Sequence, residues 1–186
     1  GILPEADFFC PIPYLPLSIA TPERVRETIE AGSEGLLDRL FDLIQQELMA
    51  SDAFWAARVD LAALSADDFA NIYFADRLKH DPFHWAEYNL REVEYNKQQQ
   101  RTVAWRYAIL RLHEALQDAV PHLNEADRER FDAGLSRVFV DNYAAVPSET
   151  IRRLLALRHA DVLAVIELGQ DYEMIVTDTG TTIKTQ

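Results

Sequence analysis

Apolar residues recur at helical spacing along most of the chain. Leu37, Leu40, Phe41, Ile44 and Leu48 form one stripe, and Trp105, Ile109, Leu112 and Leu116 form a second. Phe131, Leu135 and Val138 continue the pattern in a third segment, and Ile151, Leu154 and Leu155 in a fourth after Pro147-Ser148. This spacing gathers each set on one face of an α-helix, and each face needs a partner, so the bulk of the chain is predicted to be a helical bundle. Start signals support it. Thr21-Pro22 and Asp81-Pro82 each offer a capping side chain followed by proline at the first helical position. Ser65-Ala66-Asp67-Asp68 and Asn124-Glu125-Ala126-Asp127 read as capping boxes with a short acid in place of glutamate.

The two ends break this period. Residues 1–20 hold Pro4, Pro11, Pro13 and Pro16 among Phe8, Phe9, Tyr14 and Leu17. Proline removes amide donors and biases its predecessor to extended backbone, so a non-helical strap pressed on a core is predicted there. After about Asp161 a β pattern takes over. Residues 162–168 and 172–177 read as strands about a turn at Gly169-Gln170-Asp171, and Asp178-Thr179-Gly180 reads as a hairpin before 181–185. Three short strands would form a meander with an unpaired edge and few apolar residues to cover it, as in a sheet cut short. The chain also opens on glycine and enters directly into buried-type sequence, as an excised segment would. The predicted organisation is a strap over 1–20, a helical domain over 21–160 and a β segment of an incomplete sheet over 161–186.

Composition narrows the function classes. With 186 residues, 48% of them hydrophobic, the chain is long enough for one core without disulfides or metals. Eighteen basic against 31 acidic residues give a net charge of −13. That field opposes a nucleic-acid backbone or an anionic bilayer, and neither is expected as a partner. Cys10 is the single cysteine, which excludes an internal disulfide and makes a reducing compartment, the cytoplasm, the simplest location. No apolar run approaches the ~18 residues of a membrane span.

Candidate chemistry is sparse. His80 and His84 have the i, i+4 spacing of a metal pair, with Glu87 a turn further on, but Asp81-Pro82 starts a helix between them, and surface or capping roles are expected instead of a metal site. Acid pairs such as Asp38 with Asp42, or Asp67 beside Asp68, read as a solvated face in so acidic a chain. No Gly-x-Ser-x-Gly elbow, no Gly-x-Gly-x-x-Gly fingerprint and no Walker loop is present. Two segments stand out by mixing large aromatic and cationic side chains: 101–107, with Trp105, Arg106 and Tyr107, and 141–153, with Tyr143, Arg152 and Arg153. Trp105, Arg106, Tyr143, Arg152 and Arg153 are the expected ligand-facing residues, since arginine forks and aromatic faces suit an anionic or planar ligand. The competing reading is pairing with nearby carboxylates, as for Arg111 and Glu114 at i, i+3.

Several runs in order carry a family resemblance: Gly1-Ile2-Leu3-Pro4-Glu5-Ala6-Asp7-Phe8, Cys10-Pro11-Ile12-Pro13-Tyr14, Glu34-Gly35-Leu36-Leu37-Asp38-Arg39, Asp81-Pro82-Phe83, Trp85-Ala86-Glu87 and Ile109-Leu110-Arg111-Leu112-His113-Glu114-Ala115. The densest are Asp141-Asn142-Tyr143-Ala144-Ala145, Pro147-Ser148-Glu149 and Ile151-Arg152-Arg153-Leu154-Leu155-Ala156-Leu157-Arg158. In these the sequence resembles an internal segment of the bacterial FAD-NAD(P)-binding proteins, most closely the enterobacterial type. The resemblance implies a larger α/β flavoprotein, with a Rossmann-type FAD domain outside this segment as its partner. It further implies FAD and NAD(P) as cofactors of the full-length oxidoreductase, with none held by this segment, which would be inactive alone. The chain would be its mainly α insert, a lid or substrate-side domain; a helical protein-interaction module attached to a flavin domain is the alternative. Self-association through the cut sheet edge is a further expectation.

Overall fold

The computed structural model describes residues 16–144, 146–166 and 172–185. The chain is mainly helical, as the periodicity predicts, with nine α-helices and one two-stranded antiparallel sheet among the described residues. The helices are α1 (Pro22–Glu30), α2 (Leu36–Ser51), α3 (Ala53–Arg58), α4 (Ala66–Phe74), α5 (Pro82–Gln98), α6 (Ala104–Leu116), α7 (Glu125–Ala133), α8 (Leu135–Tyr143) and α9 (Ser148–His159). Short 3-10 turns at Leu61–Ala63, Arg77–Lys79 and Val120–His122 separate some of them.

The capping signals form as written. Thr21, Ser65, Asp81 and Asn124 each accept a backbone N–H of the first turn that follows. Ser65 also donates to the Asp68 carboxylate at 2.6 Å, which closes the short-acid capping box from side chain to side chain. A cap that sequence spacing could not show comes from another helix. Buried Asp127 of α7 accepts the Leu37 N–H at the start of α2, 3.2 Å away.

The core centres on α2, whose predicted stripe is buried throughout and packs on α3, α4, α6 and α7. Ile109, Leu112 and Leu116 of α6 face it, with Phe69 of α4 and Leu135 and Val138 of α8. The third predicted segment is two helices, not one. Gly134 departs from helical backbone (φ −119°, ψ −88°), and a Cβ there would stand 3.4 Å from the Arg130 carbonyl. The fourth stripe is only partly covered: Leu155 is buried and Leu154 is exposed, because α9 packs chiefly against α5.

Most of the predicted strap, including Cys10, lies outside the described residues. Its end, 16–20, is non-helical and docks on α2. Buried Glu47 accepts the amides of Ser18, Ile19 and Ala20 at 3.1, 2.6 and 2.9 Å and the Ser18 hydroxyl at 3.0 Å. Burial pushes this carboxyl up, and the four hydrogen bonds outweigh it and hold it below its ordinary value.

At the other end the meander reduces to a hairpin. Residues 162–166 form no strand, the turn at 169–171 lies outside the described residues, and β1 (Tyr172–Thr177) pairs with β2 (Gly180–Thr185). The register sets Tyr172, Met174, Val176, Thr181 and Ile183 on one face. The other face carries the Glu173–Lys184 ion pair at 3.6 Å. The apolar face is open, with Tyr172, Met174, Val176 and Ile183 45–71% exposed. A two-stranded hairpin is marginal on its own, so this face is incomplete as a unit of folding.

Candidate functional site

A cleft of about 390 Å³ opens where α5, the start of α6, the end of α8 and the start of α9 meet the 3-10 turn that carries Arg77. Trp85, Leu90 and Val93 of α5, Val140 of α8, Val146 of the following loop and Ile151 of α9 give it apolar walls. Arg77, Asn89, Arg106, Asp141 and Asn142 add polar groups. An apolar hollow with a few convergent polar side chains is the usual form of a small-ligand site.

Its polar end is a fixed network. Arg77 donates both terminal nitrogens to Asp141, at 2.6 and 2.8 Å, and the Tyr73 hydroxyl donates to the same carboxylate at 2.8 Å. The Asn142 amide donates to the Tyr73 oxygen at 3.1 Å and to the Val138 carbonyl at 2.8 Å. The Arg77 guanidinium lies 5.1 Å from the centre of the Phe74 ring. Burial pushes the Asp141 carboxyl up, but the Arg77 fork, its charge and the Tyr73 hydroxyl prevail and hold it below the ordinary carboxylate range. Burial and the Asp141 charge push the Tyr73 phenol well above its ordinary value, so it stays a neutral donor. Arg106 also lines the cleft, where its charge helps hold Asp141 down; its side chain is 14% exposed, 4.6 Å over the Trp105 ring and 3.7 Å from Glu92.

The five residues singled out from sequence divide among four places. Arg106 lines the cleft, where its segment and the 141–153 segment meet. Trp105 stacks on Trp55 at 4.6 Å and meets Tyr73 edge-on, packed against the core. Tyr143 lies over His113 at 4.4 Å in a separate, smaller hollow. Arg152 pairs with Glu94 at 2.9 Å and Arg153 with Glu149 at 3.2 Å, and neither lines the cleft. Arg111 bonds Glu114 at the spacing the sequence suggested. Sequence reasoning missed Arg77 and the α5 wall. Arg77 sits in a 3-10 turn without periodicity, and its partner is 64 residues away.

Other candidates take structural positions. His80 lies in the loop before α5, as expected, yet its ring is 5.6 Å from that of His84 and stacks on Trp85 at 5.9 Å. Among the described residues no group of three or more His, Cys, Asp or Glu side chains could hold a metal. Asp38 and Asp67 are tied together by Arg130, which reaches them at 2.7 and 2.8 Å and Asp127 at 2.9 Å, so the half-exposed acids clamp α2, α4 and α7. No described helix is long and apolar enough to cross a membrane.

The cleft does not fit a dinucleotide. Its volume is near the low end of the roughly 300–1,000 Å³ of ligand pockets. Among the described residues no glycine lines it, whereas the glycine-rich pyrophosphate cradle lets backbone amides approach the phosphates.

A helical domain that holds a ligand-sized cleft is the class that fold and site define. Residues 21–143 match the YdhS-like middle domain family, and the chain belongs to that family. It is 56% identical over its full 186 residues to the uncharacterized protein YdhS of Escherichia coli (strain K12) and spans 35% of the length of that relative. No solved structure matches the chain. The family match ends at Tyr143, so of the cleft lining the residues of α5, α6 and α8 fall inside the matched stretch, and Val146, Ser148 and Ile151 beyond it.

Proposed function

We propose that this chain is the substrate-side helical domain of a larger, cytoplasmic FAD- and NAD(P)-dependent oxidoreductase, with the cleft turned toward the flavin of the same full-length protein. The observation that carries the reading is the cleft itself, apolar with Arg106 in its wall and lined by residues on both sides of the end of the family match. An apolar hollow with a few polar groups is the usual form of a ligand site. The dinucleotides bind outside this chain, on Rossmann-type parts of the full-length protein, in keeping with the resemblance and with the poor fit of the cleft to either one. The flavin, when bound, supplies the electron transfer; the residues here hold and orient a substrate and exclude water. Of the five sequence candidates, Arg106 is the one this reading places against ligand, with Trp105 fixing its guanidinium from below.

Purified full-length protein is expected to carry flavin and to bleach on anaerobic addition of NADPH or NADH. Colourless protein that takes up no added FAD and oxidises neither nucleotide would overturn the reading. The open apolar face of the hairpin favours a second one, in which residues beyond the matched domain serve as a docking surface for the rest of the full-length chain. Amides of 172–185 should then exchange slowly with solvent in the full-length protein. Unprotected exchange there would count against docking.

A further inference from the structure

The charges that line the cleft are already met, and what is left open on its wall is uncharged. Arg77 is matched by Asp141 through two hydrogen bonds, and Arg106 stands 3.7 Å from Glu92 while its charge also acts on Asp141. An anion or a cation entering the cleft would shed its water and meet only charges that are already engaged. The Tyr73 hydroxyl donates to Asp141, so its oxygen accepts one Asn142 amide hydrogen, and the other goes to the Val138 carbonyl. That network fixes which way the Asn142 amide points. Its Nδ2 is fully used, and nothing among the described residues donates to its Oδ1. Asn142 lines the cleft and is 8% exposed, so this oxygen is an open acceptor on a nearly buried side chain. The Asn89 amide of α5 lines the same cleft, without a side-chain hydrogen bond among the described residues. Around the two amides, Trp85, Leu90, Val93, Val140 and Ile151 offer apolar surface.

The geometry points to a compact uncharged ligand, a carboxamide or an alcohol with an aromatic or branched aliphatic body, whose N–H or O–H donates to the Asn142 carbonyl oxygen. Asn89, which can both donate and accept, suits the other half of such a polar group. The apolar body lies along α5 and against Ile151. A ligand of the same shape without a donor would cover the Asn142 oxygen and leave it unpaired, which is where the discrimination comes from. The inference rests on the cleft being a ligand site, as proposed above, and not on the identity of the cofactor.

The test is calorimetric titration of the full-length protein with 2-phenylethanol and phenylacetamide. The comparison probes are the methyl ether of 2-phenylethanol, which lacks a donor, and phenylacetate and phenethylamine, which are charged. At least one of the two donors is expected to bind saturably, roughly threefold to tenfold tighter than the ether, the range of one net hydrogen bond, and tighter than either ion. Asn142→Leu should erase the preference over the ether. Should Asn142→Leu fail to fold, Ile151→Trp, which fills the cleft, should abolish binding of both donors. Absence of saturable binding by both donors, equal binding of the ether, or an ion bound as tightly as the better donor would overturn the inference. So would an unchanged preference in folded Asn142→Leu protein or unchanged donor binding in folded Ile151→Trp protein. Flavin content and NAD(P)H bleaching are read on the same samples. Donor binding without flavin contradicts the oxidoreductase reading alone, and flavin turnover without donor preference contradicts this inference alone.

Discussion

Asp141→Asn is expected to destabilise the fold by about 2–4 kcal/mol, a large share of the total stability of a domain this size. The carboxylate is largely buried, with 21% of its side chain exposed, and it neutralises Arg77 through two hydrogen bonds while accepting a third from Tyr73. Asparagine keeps the shape, but it removes the charge that matches Arg77 and turns one acceptor into a donor facing a donor. Removing one partner from a buried pair costs more than the pair contributes, because the remaining charge stays desolvated. The folded carboxyl titrates below its unfolded value of about 3.9, so its contribution is complete above that pH and is lost as the pH falls through the folded pKa. Wild type and Asp141→Asn should therefore differ by the full amount at neutral pH in urea unfolding and converge in acid. Equal stabilities at neutral pH would show that the network is not structural.

Phe69→Ala is expected to cost about 3–5 kcal/mol. Phe69 is 2% exposed and sits with its ring centre 5.6 Å from that of Phe41 on α2 and 6.2 Å from that of Tyr73 on its own helix. Truncation opens a cavity between α2 and α4 that backbone helices cannot close, so the lost transfer energy and the lost contacts add. The same residue backs Tyr73, whose hydroxyl reaches Asp141, so the damage should pass into the cleft. The two substitutions are accordingly expected to be non-additive in a double-mutant cycle, unlike substitutions at distant sites. A cost below about 1 kcal/mol in chemical denaturation would contradict the packing described.

Local signals were the legible ones. Thr21-Pro22, Ser65, Asp81-Pro82 and Asn124 placed four helix starts because a cap and its helix are neighbours in sequence. The α2 stripe was readable because every residue in it meets the same core. The break at Gly134 was not, since glycine inside an apolar period signals a stop only when the backbone turns there. The β segment at 162–166 failed for a different reason: its β-branched residues have no partner strand in the described chain to satisfy their backbone. In the cleft, the 101–107 and 141–153 segments were visible as unusual mixtures of aromatic and cationic residues. Chain order could not reveal that Arg106 turns into the hollow while Arg152 and Arg153 turn to Glu94 and Glu149. Arg77 was invisible because a bidentate pair across 64 residues leaves no mark on either local sequence.

The most direct measurement is a structure of the full-length protein crystallised after incubation with FAD, which tests the proposed oxidoreductase reading. The account predicts bound FAD with its isoalloxazine ring facing the mouth of the cleft on the Arg106 side. A flavin bound elsewhere, with the Arg106 cleft opening to bulk solvent on the far side of the molecule, would contradict it.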